Sequence, residues 1–397
     1  MARILLAWEL GGGLGHVSML LPIAQALTQD GHEIVLAVRN VEAASKILKE
    51  YRGAIVQAPI HHVRCGVKRN PAVTYAELLY NCGFDDPESL QARMCAWQSL
   101  LRMARCDAMV AEHAPTALAA TFGMALPRLV IGTGFTCPSP TNPLPNLRPT
   151  MNPPDATADR FEGRVLAVVQ RAMNQLGMPK LSNLADLYYS CDEVMLKTFA
   201  ELDPFPRTDG TRYWAPDDTF RGQMFQWPGD KRKKRIFAYL KPSPGLPELL
   251  ECLKTSQHST VVYGSWVTPK LMDRHNCKTL RLSPHALDLE QAAGECDLGI
   301  LNATHGATSK FLLAGKPLLM LPHVQEQALT ADRVQQMGGG LCADHRNGKS
   351  VANALERLVE NGSFGRNASK FAYRYDRKCL AKSRQAAVDR IHDIVSS

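Results

Sequence analysis

At 397 residues, with 45% hydrophobic residues and a formal charge of +8, the chain is long enough for two cores and shows no bias towards disorder. No apolar run reaches membrane-spanning length, and the first residues lack a signal-peptide stretch, so a cytoplasmic protein with at most peripheral membrane association is expected. Eleven scattered cysteines without a C-x-x-C pair suggest neither a disulfide framework nor a zinc site, and the modest positive charge does not choose among acidic partners.

The first element is Arg3 to Trp8, a short apolar run of the kind buried in a parallel sheet. A turn built from Gly11, Gly12, Gly13 and Gly15 follows and leads through His16 into an amphipathic helix, with Val17, Leu20, Leu21, Ala24 and Leu27 on one face. Gly31 ends that helix, and Glu33 to Val38 is the next strand, so the segment is a βαβ unit with a glycine turn. Such a turn admits a close approach that a Cβ would block. The dinucleotide fingerprint fails at its third glycine, where His16 stands, and no Gly-Lys-Ser/Thr completes a P-loop. A plain tight turn, with His16 a solvated first-turn residue, is the alternative reading.

The alternation continues with a helix over Glu42 to Tyr51 and strands at Ala54 to Ala58, Asp107 to Ala111 and Arg128 to Ile131. The proline-rich stretch Thr136 to Pro154 cannot be regular structure and falls at the carboxyl edge of the sheet. A helix around Arg160 to Leu176 and a strand at Glu193 to Lys197 complete the first half. The basic run Lys231 to Arg235 reads as a solvated linker, since nucleic-acid binders show repeated basic stretches interleaved with aromatics. No nucleic acid is expected as a partner.

The second half restarts the pattern with strands at Ile236 to Leu240, Thr260 to Tyr263, Thr279 to Leu282, Leu298 to Leu301 and Leu318 to Leu321. Thr268-Pro269 is a helix start, an N-cap followed by proline. The fold class is therefore α/β, two Rossmann-like doubly wound domains facing each other across a cleft. The boundaries expected are an N-terminal acceptor-binding domain over 1–217, a linker over 218–234, a C-terminal donor domain over 235–378, and a helix over 379–397 packing back on the first domain. Ligands of such sheets bind at the carboxyl ends of the strands.

At that edge of the second half, Asn302 to Thr308 is a small polar turn into a helix. Backbone N–H groups and the positive helix end there suit a diphosphate. Gly306 and Ala307 keep the approach open, while Asn302, His305 and Thr308 can donate hydrogen bonds. Glu326 and Gln327 at the next junction could read sugar hydroxyls. Ordinary helix capping is the alternative for both.

The stretch Cys296 to Gly340, with Ala314-Gly315-Lys316-Pro317 and Pro322 to Gln327, resembles the donor signature of GT-B nucleotide-sugar glycosyltransferases. The nearest likeness is to the UDP-glycosyltransferase and macrolide-type superfamily in a soluble bacterial form. Gly15-His16, Pro22 and Gly31-His32 match its opening. Counting back from Gly315, the motif's first His falls on Asn302, while His305 occupies a position usually taken by a small residue. Lys310 stands where the family has a Glu that often binds ribose hydroxyls; a lysine cannot accept those bonds but could pair with a phosphate or another acid.

The resemblance implies transfer of a sugar from a nucleoside-diphosphate donor, UDP- or dTDP-linked, to an acceptor hydroxyl, with inversion. It assigns the general base to His16, supported by an acidic residue from a later strand. Glu112, which ends the strand from Asp107, is the candidate support; Glu9 stays open, and His113 is a reserve base. No D-x-D or His/Cys ligand cluster is present, so no metal and no cofactor are expected. A nucleotide-sugar epimerase and a non-catalytic nucleotide-sugar-binding protein stay open as alternatives. The acceptor, whether small molecule, lipid or glycan, and the oligomeric state stay open as well.

Overall fold

The computed structural model describes residues 1–62, 71–148, 155–216, 221–229 and 233–396. Two compact units divide the chain: Met1–Thr219 with Ala381–Ser397, and Phe220–Leu380.

The first unit contains, in order, β1 (Arg3–Trp8), α1 (Gly15–Gln29), β2 (Glu33–Val38), α2 (Val41–Ala44), β3 (Ala54–Gln57), α3 (Tyr75–Asn81) and α4 (Pro87–Ala104). It continues through β4 (Ala108–Glu112), α5 (Pro115–Ala120), β5 (Arg128–Gly132), α6 (Asp155–Gln175), α7 (Asp186–Tyr189) and β6 (Glu193–Leu196). All its strand pairs are parallel, in the order β3-β2-β1-β4-β5-β6. The central strands are buried on both faces, which is why they read as unbroken apolar runs.

The second unit contains β7 (Arg235–Tyr239), α8 (Leu246–Thr255), β8 (Ser259–Tyr263), α9 (Pro269–His275), β9 (Leu280–Ser283), α10 (Leu289–Glu295) and β10 (Leu298–Leu301). Then come α11 (His305–Leu313), β11 (Leu318–Met320), α12 (Gln325–Gln336), β12 (Gly340–Cys342), α13 (Gly348–Glu360) and α14 (Ser363–Arg374), with α15 (Arg377–Ser396) closing the chain. Its parallel sheet runs β12-β11-β10-β7-β8-β9. Read from the other edge, this is the same strand order as the first sheet. Each unit therefore has one topological switch point, between β1 and β4 and between β7 and β10, where ligands of such sheets bind.

Several elements differ from expectation. The helix expected over Glu42 to Tyr51 is only the four residues of α2, capped by Asn40. Ser45 Oγ donates to the Glu42 carbonyl, and Ile47 N bonds Ala44 O three residues back, which tightens the chain out of α geometry. Helices α3 and α4 fall in a region without a legible pattern, although Asp86-Pro87 is an N-cap followed by proline and Asp86 accepts from Glu88 N and Ser89 N. Residues 221–229, expected in the linker, lie on the second unit. There Gln223 N donates to Ala286 O at 2.8 Å and Trp227 Nε1 to Glu295 Oε2 at 2.7 Å. Lys231 and Arg232 of the basic run, and 149–154 of the proline-rich stretch, lie outside the described residues. Among the described residues no helix is long and apolar enough to cross a membrane.

The last helix returns to the first unit. Ala387, Val388, Ile391, Ile394 and Val395 belong to the same buried cluster as Ile4, Leu6 and Leu20. Ser383 Oγ accepts from Ala215 N at 2.8 Å, Arg384 Nε donates to Pro216 O, and Arg390 Nε donates to Glu193 Oε2. Ile391 is fully buried. Ile391→Ala is expected to lower stability by about 2 to 4 kcal/mol, the range for a truncated core side chain, where an exposed helix position would change by under about 0.5. Denaturant midpoints of the full chain check this.

Candidate active site

The first switch point is occupied by the glycine turn. His16 is the second residue of α1, and its Nδ1 lies 2.7 Å from Glu112 Oε2 at the end of β4. The Glu112 side chain is 1% exposed and that of His16 12%. A buried carboxylate accepts the Nδ1 proton, which leaves Nε2 as the basic nitrogen of the neutral ring. The Trp8 indole stacks on the imidazole with centroids 5.3 Å apart and 21° between planes.

Gly11 explains part of the glycine run. Its φ is +85°, and a Cβ there would fall on His16 Nε2 and within 2.9 Å of Cε1. The glycine makes room for the imidazole itself, where the sequence suggested room for substrate. Gly12 and Gly15 differ, since beyond their own backbone and chain neighbours nothing among the described residues lies within 4 Å of a Cβ at either, and Gly13 there meets Gly15 N at 3.9 Å.

Glu9 is engaged elsewhere. Its carboxylate accepts from Thr116 N at 2.8 Å and from Thr116 Oγ1, and so caps α5 from a distant strand. Burial pushes its pKa up to about 7, against partial offsets from the Thr116 hydrogen bonds and the Arg93 guanidinium. Asp107, at the start of β4, accepts from Arg3 N at the opposite edge of the sheet. His113 follows Glu112 with φ +44°, a left-handed conformation that costs a non-glycine residue about 1–2 kcal/mol. Its ring lies 5.8 Å from that of His16, and burial, reinforced by His16 and Arg39, holds its pKa well below the ordinary imidazole value.

At the second switch point, Asn302, just after β10, ties together the ends of β7 and β11, the strands on either side of it. Its Oδ1 accepts from Lys241 N at 2.6 Å, and its Nδ2 donates to Leu321 O at 2.7 Å. The carboxamide thus fastens the turn, which differs from the outward donor expected of it. The turn passes through Ala303 at φ +57°, and α11 begins at His305 without a side-chain cap and without an acid in its first turn. By contrast α3, α4, α9, α10 and α13 are capped by Thr74, Asp86, Thr268, Asp288 and Asn347. Capping is therefore not what the Asn302 turn does.

Gly306 is exposed in the first turn of α11, and among the described residues nothing beyond its own helix lies within 4 Å of a Cβ there. Ala307 and His305 are buried beside it. Thr308, expected to donate to a ligand, is fully buried beside Phe311 and Leu312, and its Oγ1 has no hydrogen-bond partner among the described residues. Lys310 pairs with Glu290 at 3.6 Å, so its partner in the structure is an acid of α10. Gln327 accepts from His323 N at 2.8 Å, and Glu326 is half-buried in the first turn of α12.

Three residues at this edge went unread in the sequence: Lys241, His323 and His345. The two imidazoles stack with centroids 4.0 Å apart, and burial with the charges of His345 and Lys241 lowers the His323 pKa. The Pro322-His323 pair inside the motif was the available signal. Among the described residues no three His, Cys, Asp or Glu side chains are grouped to hold a metal ion.

No protein-family model and no curated protein matches the sequence. Solved structures do match along the whole chain. CalG4, the calicheamicin glycosyltransferase, gives a TM-score of 0.71 at 16% identity over 100% of this chain and 98% of that one. Glycosyltransferase VinC in complex with DTDP gives 0.68 at 12% identity over 99% of each chain. Glycosyltransferase SnogD from Streptomyces nogalater gives 0.65 at 16% identity over 99% of each. The likeness is one of fold, two Rossmann-like α/β domains of the GT-B type.

Two outcomes follow from the first switch point. Gly11→Ala is expected to push the imidazole off Glu112, and loss or displacement of the hydrogen-bonded His16 Nδ1 proton signal in NMR checks it; an unmoved signal would show that Gly11 does not set the ring position. The second concerns Glu9. Because its folded pKa of about 7 exceeds the ordinary 4.5, the folded chain binds the extra proton between these values. Stability should then fall as pH rises through that window, by about 3 kcal/mol from this group. In Glu9→Gln that decline should flatten, as read from denaturant midpoints at pH 5, 6 and 7.

Proposed function

We propose that the chain transfers a sugar from a nucleoside-diphosphate donor to an acceptor hydroxyl, with inversion at the anomeric carbon and without a metal. The observation that carries this reading is the 2.7 Å His16–Glu112 pair at the switch point of the first sheet. The shared fold with glycosyltransferases supports it, and the dTDP complex of VinC supports a nucleotide donor.

In this scheme His16 Nε2 takes the proton of the acceptor hydroxyl as its oxygen forms the bond to the anomeric carbon. The bond from that carbon to the diphosphate oxygen breaks, and its electron pair leaves with the nucleoside diphosphate. Glu112 stabilises the imidazolium formed on His16 and fixes its tautomer, the role of the third group in a catalytic triad. The transition state has oxocarbenium character, as in glycoside chemistry. Negative charge grows on the leaving phosphate, and the uncapped N-terminus of α11 after the Asn302 turn offers backbone N–H groups and a positive helix end to it. The proline-rich stretch after β5 is assigned to the acceptor side.

The base belongs to the first unit and the anion site to the second, so the two parts can be tested separately. His16→Ala is expected to lower transfer by about a hundred- to ten-thousandfold while dTDP and UDP affinity, measured by calorimetry, stays near wild type. Glu112→Gln should lower transfer with the same sparing of nucleotide affinity. Gly306→Val should instead weaken nucleotide binding, because its side chain enters space that, among the described residues, nothing beyond its own helix occupies within 4 Å of the Cβ. Transfer at the wild-type rate by His16→Ala would remove His16 from the mechanism.

A further inference from the structure

Trp8 has no role in the scheme above, and its placement gives it one. It ends β1, is 2% exposed, and is the register partner of Glu112 across the β1–β4 pair. Register partners on adjacent parallel strands put their side chains on the same face of the sheet. Both side chains here meet one ring. Glu112 Oε2 holds His16 Nδ1 at 2.7 Å, and the Trp8 indole stacks on the imidazole with centroids 5.3 Å apart and 21° between planes.

The indole is fixed independently of the histidine. Its Nε1 donates to Leu10 O at 2.6 Å, and Leu10 N donates to His113 O at 2.9 Å, so the ring is tied to the glycine turn and through it to the end of β4. The polar edge of the indole is thereby satisfied, and its π face is left to the neighbour that covers it, the proposed base. An aliphatic side chain of similar size would fill the same space. Only an aromatic face responds to the charge of the ring it covers.

We infer that Trp8 is a positioning residue for the base, and that its π face stabilises the imidazolium formed when His16 takes the acceptor proton. The neutral imidazole gains ordinary stacking from this contact. The cation gains in addition the attraction of the negative indole face, which is strongest for tryptophan and acts within about 6 Å of the ring centroid. With 12% of the His16 side chain exposed, water screens that attraction little. An interaction that strengthens as charge develops lowers the barrier, where one felt equally before and after would not. The titratable groups facing the ring are Glu112 and His113 from the end of β4; burial, reinforced by His16 and by Arg39 beyond it, keeps His113 neutral. The role in transfer rests on the sugar-transfer reading; the stabilised imidazolium does not.

The test uses the full chain. In imidazole nitrogen NMR without donor, His16 of Trp8→Leu should titrate about half a unit to one unit of pH below wild type, because the cation loses its π partner and the neutral ring loses less. Trp8→Phe, which keeps an aromatic face but not the Nε1 bond, should fall between the two. With a UDP- or dTDP-sugar that is turned over, kcat should drop about three- to tenfold in Trp8→Leu and less in Trp8→Phe, with dTDP and UDP affinity near wild type. The acid limb of the pH–rate profile should move down with the NMR midpoint. An unchanged His16 midpoint in Trp8→Leu overturns the inference even where kcat falls, since that pattern belongs to packing alone. Equal midpoints in Trp8→Phe and Trp8→Leu overturn it as well, because an aromatic face would then count for nothing. If no sugar is transferred but the midpoints keep the order Trp, Phe, Leu, the sugar-transfer reading fails while the coupling of Trp8 to His16 stands. Should Trp8→Leu not fold, Trp8→Phe decides: a midpoint below wild type supports the inference and an unchanged one overturns it.

Discussion

The 2.7 Å contact between His16 Nδ1 and Glu112 Oε2 is the constraint around which the first unit's carboxyl edge is arranged. A carboxylate with 1% of its side chain exposed is costly unless a charge or a donor meets it, and removing one member of a buried pair typically costs about 3–5 kcal/mol. The sequence meets this demand from several sides. Gly11 gives up its Cβ so that the imidazole can lie flat against the turn, and Trp8 covers the other face of the ring. Glu9 holds the start of α5, so it does not compete for His16. Arg39 Nη1 binds the Glu9 carbonyl at 2.7 Å and ties the β2 end to the same turn.

The second unit repeats the topology with different chemistry. Where the first sheet joins its central strands by a histidine and an acid, the second joins them by a neutral carboxamide, Asn302, bonded to Lys241 and to the Leu321 carbonyl. A neutral clamp leaves the field of the helix end unopposed. The first turn of α11 carries no acid, and its N-cap residue Thr304 makes no side-chain cap bond. One unit thus has a histidine–carboxylate pair at its switch point, and the other a helix N-terminus whose N-cap residue makes no side-chain bond.

What could be read in advance follows from which signals are local. Arg3–Trp8, Glu33–Val38 and Leu298–Leu301 were legible to the residue, because each is an apolar run set between turns. β12 has three residues, too few for any periodicity, and α4 was passed over although Asp86-Pro87 announced it. The resemblance implied an acid from a later strand beside His16, and edge position chose Glu112 over Asp107, since Glu112 ends its strand and Asp107 begins it. The partner of Glu9 was not legible, because Thr116 lies 107 residues away and its hydrogen bond has no local signature. The burial of Thr308 was not legible either, because its place in the motif carries no mark of the helical phase that turns it to the core.

The two units agree in one further respect that no composition or motif would suggest. Each leaves the fourth strand of its sheet order through a left-handed residue that is not glycine: His113 directly after β4, and Ala303 two residues after β10. Such a conformation costs about 1–2 kcal/mol at each position, and a glycine would relieve it. The surroundings impose it in both cases. Leu10 N holds the His113 carbonyl, and the two bonds of Asn302 hold the residue before Ala303. Strain retained at the same topological point in both sheets belongs to the switch point itself: the chain must turn sharply there to carry His113 towards His16 in one unit, and to bring the N-terminus of α11 close behind β10 in the other.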